Sequence, residues 1–159
     1  MSHARQENGR LKQIAPDVYD AVLALSRLAG KSGLGNELLE LVKIRASQIN
    51  GCAFCIQYHI LEAERLGVAA DKLNLVVVWH EAPQFSSRER AALAWTEALT
   101  ELSGGVSDEV FAEASAEFSE EELIYLTAAV SVINVWNRYG VAYRWTPPAR
   151  RKSVSAAAS

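Results

Sequence analysis

The feature that most limits what this chain can become is a helical hydrophobic period that recurs along nearly its whole length. Val18, Val22, Leu25 and Leu28 follow one another at helical spacing, so Pro16 to about Ala29 reads as an amphipathic helix. Pro16 suits its first turn, where a missing N–H costs nothing. Gly30, Gly33 and Gly35 interrupt the period. A second helix is expected from Asn36, as N-cap, to about Ile49, with Leu38, Leu41, Val42 and Ile49 inward. Asn50-Gly51 ends it, since both residues tolerate the left-handed geometry of a helix C-terminus. A third helix begins near Cys52 and stops at Gly67. Only Ala70 to Trp79, with its Leu75-Val76-Val77-Val78 run, could be a strand. A lone strand leaves its backbone groups unpaired, so a short helix is expected there.

The remaining boundaries are written in serine. Ser86-Ser87-Arg88-Glu89 has the spacing of a capping box, and it opens a helix to about Ser103 with Ala92, Trp95, Ala98 and Leu99 inward. Ser107 caps a helix from Asp108 to Ala116. Ser119 and Glu122 repeat the capping-box signal and start the longest helix, Glu120 to about Tyr143. The expected fold is all-α, with seven or so helices in a single domain over 13–146. A flexible N-terminus is expected at 1–12, and a disordered basic tail at 147–159 after Pro147-Pro148.

Composition narrows the function classes. A chain of 159 residues that is 50% hydrophobic and 22% charged can bury a core and is of one-domain size. A net charge of −3 argues against nucleic-acid or membrane-surface binding through broad positive charge. Arg150-Arg151-Lys152 is too short a run to change that. No apolar run approaches the roughly 20 residues of a membrane span, and the polar N-terminus lacks the apolar stretch of a signal peptide. A cytoplasmic location is therefore expected. Both cysteines of the chain, Cys52 and Cys55, lie in one segment. In a reducing compartment such a pair reads as redox-active or metal-binding, because a structural disulfide framework spreads its cysteines apart.

The chemistry concentrates between Glu40 and His59. A helix turns about 100° per residue, so Cys52, Cys55 and His59 share one narrow face. Cys52 stands at the helix start, where free N–H groups and the dipole favour a thiolate. His59, one turn beyond Cys55, can take or give a proton. If the helices on either side of Asn50-Gly51 pack antiparallel, Glu40 and His59 fall at similar depth, and the carboxylate can orient the imidazole. Two plainer readings compete. The cysteines could be ordinary buried residues, or Cys52, Cys55, His59 and Glu40 could be a zinc ligand set. His80 reads as a surface or packing residue. Trp79, Trp95, Trp136 and Trp145, with Phe85 and Tyr139, read as core or subunit-interface anchors.

The pattern Glu40-x11-Cys52-x2-Cys55-x3-His59 resembles the signature of the AhpD-like alkylhydroperoxidases of the carboxymuconolactone decarboxylase superfamily. The resemblance extends over roughly Pro16 to Tyr143. It includes Trp79-His80-Glu81, Phe85-Ser86-x-Arg88-Glu89-Arg90 and Asn134-x-Trp136-Asn137-Arg138. It implies a helical bundle whose Cys pair starts a helix. It also implies a thiol-dependent peroxidase in which Cys55 attacks the hydroperoxide, Cys52 resolves the sulfenic acid, and Glu40 and His59 relay protons. The helix-end argument alone favours Cys52 as the more acidic thiol, so the order of the two rests on the resemblance. The best-known members carry a second histidine between the cysteines; here that position is Phe54. No flavin, haem or nicotinamide motif is visible, so no cofactor is expected. An external dithiol or lipoyl-type reductant must then supply electrons. The resemblance and the number of aromatic residues also imply a homo-oligomer, a trimer or hexamer. The alternatives are a lactone decarboxylase of the same superfamily, which needs an acid–base pair and no cysteines, and a non-enzymatic redox sensor or metal-binding module.

Overall fold

Serine chemistry sets the helix boundaries in the computed structural model, which describes residues 3–150. Ser86 and Ser119 each accept from the backbone N–H of the glutamate three residues on. Glu89 and Glu122 each return a carboxylate to the serine N–H, so both capping boxes are complete. They open α6 (Ser87–Glu101) and α8 (Glu120–Tyr143), and Ser107 caps α7 (Asp108–Glu117). Upstream lie α1 (Asn8–Ile14), α2 (Pro16–Gly30), α3 (Asn36–Asn50), α4 (Ala53–Arg65) and α5 (Ala70–Leu75), which runs into a 3₁₀ turn at Val76–Val78. No strand occurs among the described residues. The fold is all-helical, as the periodicity requires, and the valine run is a helix end rather than a strand.

Helices α3 and α8 form the centre. α3 packs against α4, α6 and α8, and α8 also receives α2. Two apolar clusters share α3 between them. One joins Leu39 and Val42 to Ala92, Trp95, Leu126 and Val130. The other joins Leu41 and Ile44 to Ala63, Val76, Trp79 and Leu93. Burial on two sides explains why the apolar residues of α3 (Leu38, Leu39, Leu41, Val42, Ile44 and Ala46) spread over more than one face, with polar residues between them.

Two expectations need correction. The segment 1–12, expected to be flexible, contributes residues 8–12 to α1. None of α1 is buried, so no apolar period announces it. It is held by its contact with α2 and by the backbone N–H groups of Arg5 and Gln6, which donate to the Tyr143 carbonyl. The other correction concerns α2. Val18, Leu25 and Leu28 are exposed, at 39%, 39% and 54%. The face toward α8 is instead Tyr19, Val22, Leu23, Ser26 and Ala29, with the Trp136 Nε1–H donating to Ser26 Oγ at 2.9 Å. Of the basic tail, Arg150 pairs with Glu64 at 2.8 Å, and residues 151–159 lie outside the described residues.

The turn between α3 and α4 is pinned to α8 by buried amides. Gly51 takes the left-handed conformation, φ 67°, that closes α3. Asn50 Nδ2 donates to the side-chain oxygens of both Asn134 and Asn137, at 2.9 Å each. Asn137, 1% exposed, donates in turn to Ser47 Oγ at 2.9 Å. Truncating Asn137 removes one bond each from Asn50 and Ser47, which keep Asn134 and the Lys43 carbonyl as partners, and the loss of two such bonds costs about 1–3 kcal/mol. Asn137→Ala should therefore lower the urea midpoint by an amount in that range. An unchanged midpoint would show that the amide clamp carries no stability.

Candidate active site

Helix α4 begins at the cysteine pair. Cys52 is its N-cap, in extended conformation, and its sulfur accepts the Cys55 backbone N–H at 3.3 Å. One of the orphan donors of the first turn thus points at sulfur, an arrangement that favours a thiolate. Cys52 and Cys55 are joined as a disulfide with their Cα atoms 5.3 Å apart, inside the usual span for such a bridge. Both are buried, at 1% and 3% exposure. Gly140 of α8 makes room for them: a Cβ there would sit 2.5 Å from Cys52 Sγ and 3.2 Å from Cys55 Sγ. No side chain other than hydrogen fits at that position without moving the sulfurs.

The antiparallel α3–α4 hairpin brings Glu40 to His59, with Glu40 Oε2 2.7 Å from His59 Nδ1. The carboxylate can only accept, so Nδ1 carries the proton of a neutral ring, and Nε2 is left as the position that can take another. Lys43 shares the same carboxylate, with Nζ 2.7 Å from Oε1. Burial alone pushes the Glu40 carboxyl up. The hydrogen bond and charge of His59, then those of Lys43, outweigh it and hold Glu40 below its ordinary value.

Above the sulfurs lies a cavity of about 200 Å³, lined by Cys55 and His59 together with Tyr19, Phe54, Tyr58, Trp136 and Trp145. Cys52 is not among its walls. Glu40, Lys43, Tyr58 and His59 also line a neighbouring cavity of about 270 Å³. The structure thus gathers Cys52, Cys55, His59 and Glu40. Among the described residues no group of three or more His, Cys, Asp or Glu side chains is arranged to hold a metal ion. His80 is elsewhere in the bonding scheme: it stacks on Trp79, and its Nε2 lies 3.6 Å from Glu97, which also accepts from Trp79 Nε1 and Arg45. Trp79 and Trp95 are core residues, whereas Trp136 and Trp145 line the sulfur cavity. Sequence reasoning missed Lys43, Gly140 and Tyr19. Lys43 was the most accessible of these, because it sits one turn beyond Glu40 on the same helix.

An all-helical bundle with a helix-capping Cys-x-x-Cys pair, backed by a half-buried histidine bonded to a buried glutamate, defines the class. The carboxymuconolactone decarboxylase family model matches residues 16–98, just over half the chain. The chain belongs to that family. The uncharacterized protein YdfG of Bacillus subtilis (strain 168) is 33% identical over 131 residues, which is 82% of this chain and 89% of its own. Protein ATU0492 of Agrobacterium tumefaciens has unknown function and is named as a candidate antioxidant defence protein AhpD. It superposes with a TM-score of 0.87 at 37% identity, over 93% of this chain and all of its own. The debrominase Bmp8, seen with 2,3,4-tribromopyrrole in its C82A form, shares the fold. Its TM-score is 0.77 at 23% identity, over 85% of this chain and 73% of that one.

The Glu40 contacts set a pH dependence. Its carboxyl is held below 4.5 in the folded protein, so the stability it contributes is fully present above that value and is lost as pH falls through the folded one. Measured by urea unfolding, the advantage of wild type over Glu40→Gln should be constant near neutrality and shrink as pH drops below about 4.5. A gap that widens toward acid would contradict the assigned contacts.

Proposed function

We propose that this protein is a thiol-dependent peroxidase that reduces hydroperoxides through the Cys52–Cys55 pair. The observation that carries the reading is that Cys55, bonded to Cys52, lines a cavity beside a histidine whose far nitrogen is held by a buried carboxylate. In the reduced protein, His59 Nε2 accepts the Cys55 proton, and Glu40 steadies the imidazolium. The thiolate attacks the outer peroxide oxygen and the O–O bond breaks. The departing alkoxide takes the proton from His59 as an alcohol, and Cys55 becomes a sulfenic acid. Cys52 then attacks that sulfur. The hydroxyl leaves as water with a proton, and the disulfide forms. An external dithiol, of the lipoyl type or another, restores both thiols by exchange and supplies the two electrons.

Accessibility supports Cys55 as the attacking sulfur, since it lines the cavity and Cys52 does not. The N–H donated to Cys52 suits it to a resolving role, because a stabilised thiolate is ready to attack once Cys55 is oxidised. A lactone decarboxylase would use an acid–base pair and leave the two sulfurs idle, so the thiol reading accounts for more of the site. Cys55→Ser should abolish peroxide turnover with a dithiol. Cys52→Ser should consume one equivalent and stop at the sulfenic acid. His59→Phe should slow the oxidation step by about 10²–10⁴, and Glu40→Gln should slow it less. Rapid mixing with peroxide and titration of free thiols read all four. If His59→Phe and Glu40→Gln leave the rate and the thiol pKa untouched, the relay is wrong.

The same reading includes a homo-oligomer, a trimer or hexamer. Its support is α2, where Val18, Ala21, Leu25 and Leu28 form an exposed apolar stripe at the three-and-four spacing of a helix–helix seam. A second copy of this chain is the occupant we assign to it. Sedimentation should give a multiple of 17.4 kDa, and the double change Leu25→Glu and Leu28→Glu should reduce it. A wild-type monomer at micromolar concentration would overturn the assignment.

A further inference from the structure

Rings make up most of the cavity that gives access to Cys55, with Asn8 and Leu23 completing its walls. Tyr19 and Trp136 meet edge to face with centroids 5.6 Å apart. Phe54 meets Trp145 edge to face at 5.3 Å and lies nearly parallel to Tyr58 at 6.0 Å. Phe54 and Trp145 also line a separate cavity of about 460 Å³ on the other side, so the Phe54 ring forms part of the partition between the two. At about 200 Å³ the sulfur cavity is smaller than the roughly 300–1,000 Å³ of sites for drug-sized ligands. It is still several-fold larger than hydrogen peroxide needs. Its size suits one ring with a short substituent.

Charge narrows the class further. Among the described residues, no lysine or arginine lines this cavity. A carboxylate-bearing hydroperoxide would find no cation there. Two lysines stand outside its walls: Lys12, with Nζ 5.7 Å from the centre of the Tyr19 ring, and Lys43, which lines the neighbouring cavity and is bonded to Glu40. Aromatic walls also distinguish a flat ring from an aliphatic group of equal bulk, because edge-to-face and offset contacts add to simple area burial.

We infer that the site selects an uncharged aryl hydroperoxide, a single ring with a short side chain bearing the O–O group, and that Phe54 is the residue that sets this preference. The inference rests on the peroxidase reading for its chemistry. With the ring held among the aromatic side chains, the peroxide meets Cys55. The O–O bond breaks, two electrons pass from sulfur, and the products are an aryl alcohol and the Cys55 sulfenic acid. Phe54 stands where the resemblance placed a histidine. A polar group that could serve a small peroxide is there replaced by a ring surface that serves an aromatic one.

The binding claim can be tested without turnover. The wild-type protein in its disulfide form does not consume peroxide, so the product-like alcohol 2-phenylpropan-2-ol can be titrated directly by calorimetry against its saturated counterpart, 2-cyclohexylpropan-2-ol. The aryl alcohol should bind about fivefold tighter. Phe54→Ala should erase that preference, and Phe54→Tyr should retain it. In the reduced protein with dithiothreitol, the kcat/KM ratio of cumene hydroperoxide to tert-butyl hydroperoxide should exceed one and fall toward one in Phe54→Ala. Equal binding of the two alcohols, or a preference that survives Phe54→Ala, overturns the aryl assignment even if hydroperoxides are turned over. Selective, Phe54-dependent binding with no hydroperoxide consumed would support the aryl site and sink the peroxidase reading instead.

Discussion

The hydrogen bonds that join the α3–α4 turn to α8 are the constraint on which the candidate site rests. Asn50 reaches two amide oxygens on α8, and Ser47 receives a third bond from it. These are buried polar contacts, directional and costly to leave unmade. They fix both the depth of the turn and the rotation of α8 beneath it. Once that is set, Gly140 falls under the two sulfurs, and Trp145, stacked with Tyr139, falls beside the ring of Phe54. Apolar packing alone would tolerate a small slide of α8 past α3. The amides do not.

Much of this was legible in the sequence, for reasons that can be named. Helix starts at Ser86, Ser107 and Ser119 are decided by bonds within four residues, so local pattern suffices. The Glu40–His59 meeting followed from counting along two helices about a known break, because an antiparallel hairpin has little freedom of register. The face of α2 was not legible. That helix carries two apolar stripes, and only the partner on α8 decides between them: Tyr19 and Ser26 go inward because Trp136 offers them a ring edge and an N–H. α1 was invisible for the opposite reason, having no buried residue to leave a period. Gly140 could not be recognised either, since a glycine inside a helix says nothing about what approaches it.

Lys43 shows how a residue outside the quoted signature can shape the candidate site. Glu40 divides one negative charge between Lys43 and His59. Lys43 adds to the larger effect of His59 in keeping the carboxylate ionised despite burial.

The burial of the sulfurs has a consequence for the order of events. Cys55 lines the aromatic cavity, whereas Cys52 is buried and is not among its walls. On the proposed cycle, oxidant and reductant therefore use the same doorway. They cannot be bound at once, so the alcohol must depart before the dithiol enters. On that cycle the cavity would work as a turnstile, giving ping-pong kinetics in which each substrate in excess obstructs the other. A molecule shaped to linger there would block both halves of the cycle by occupying one space.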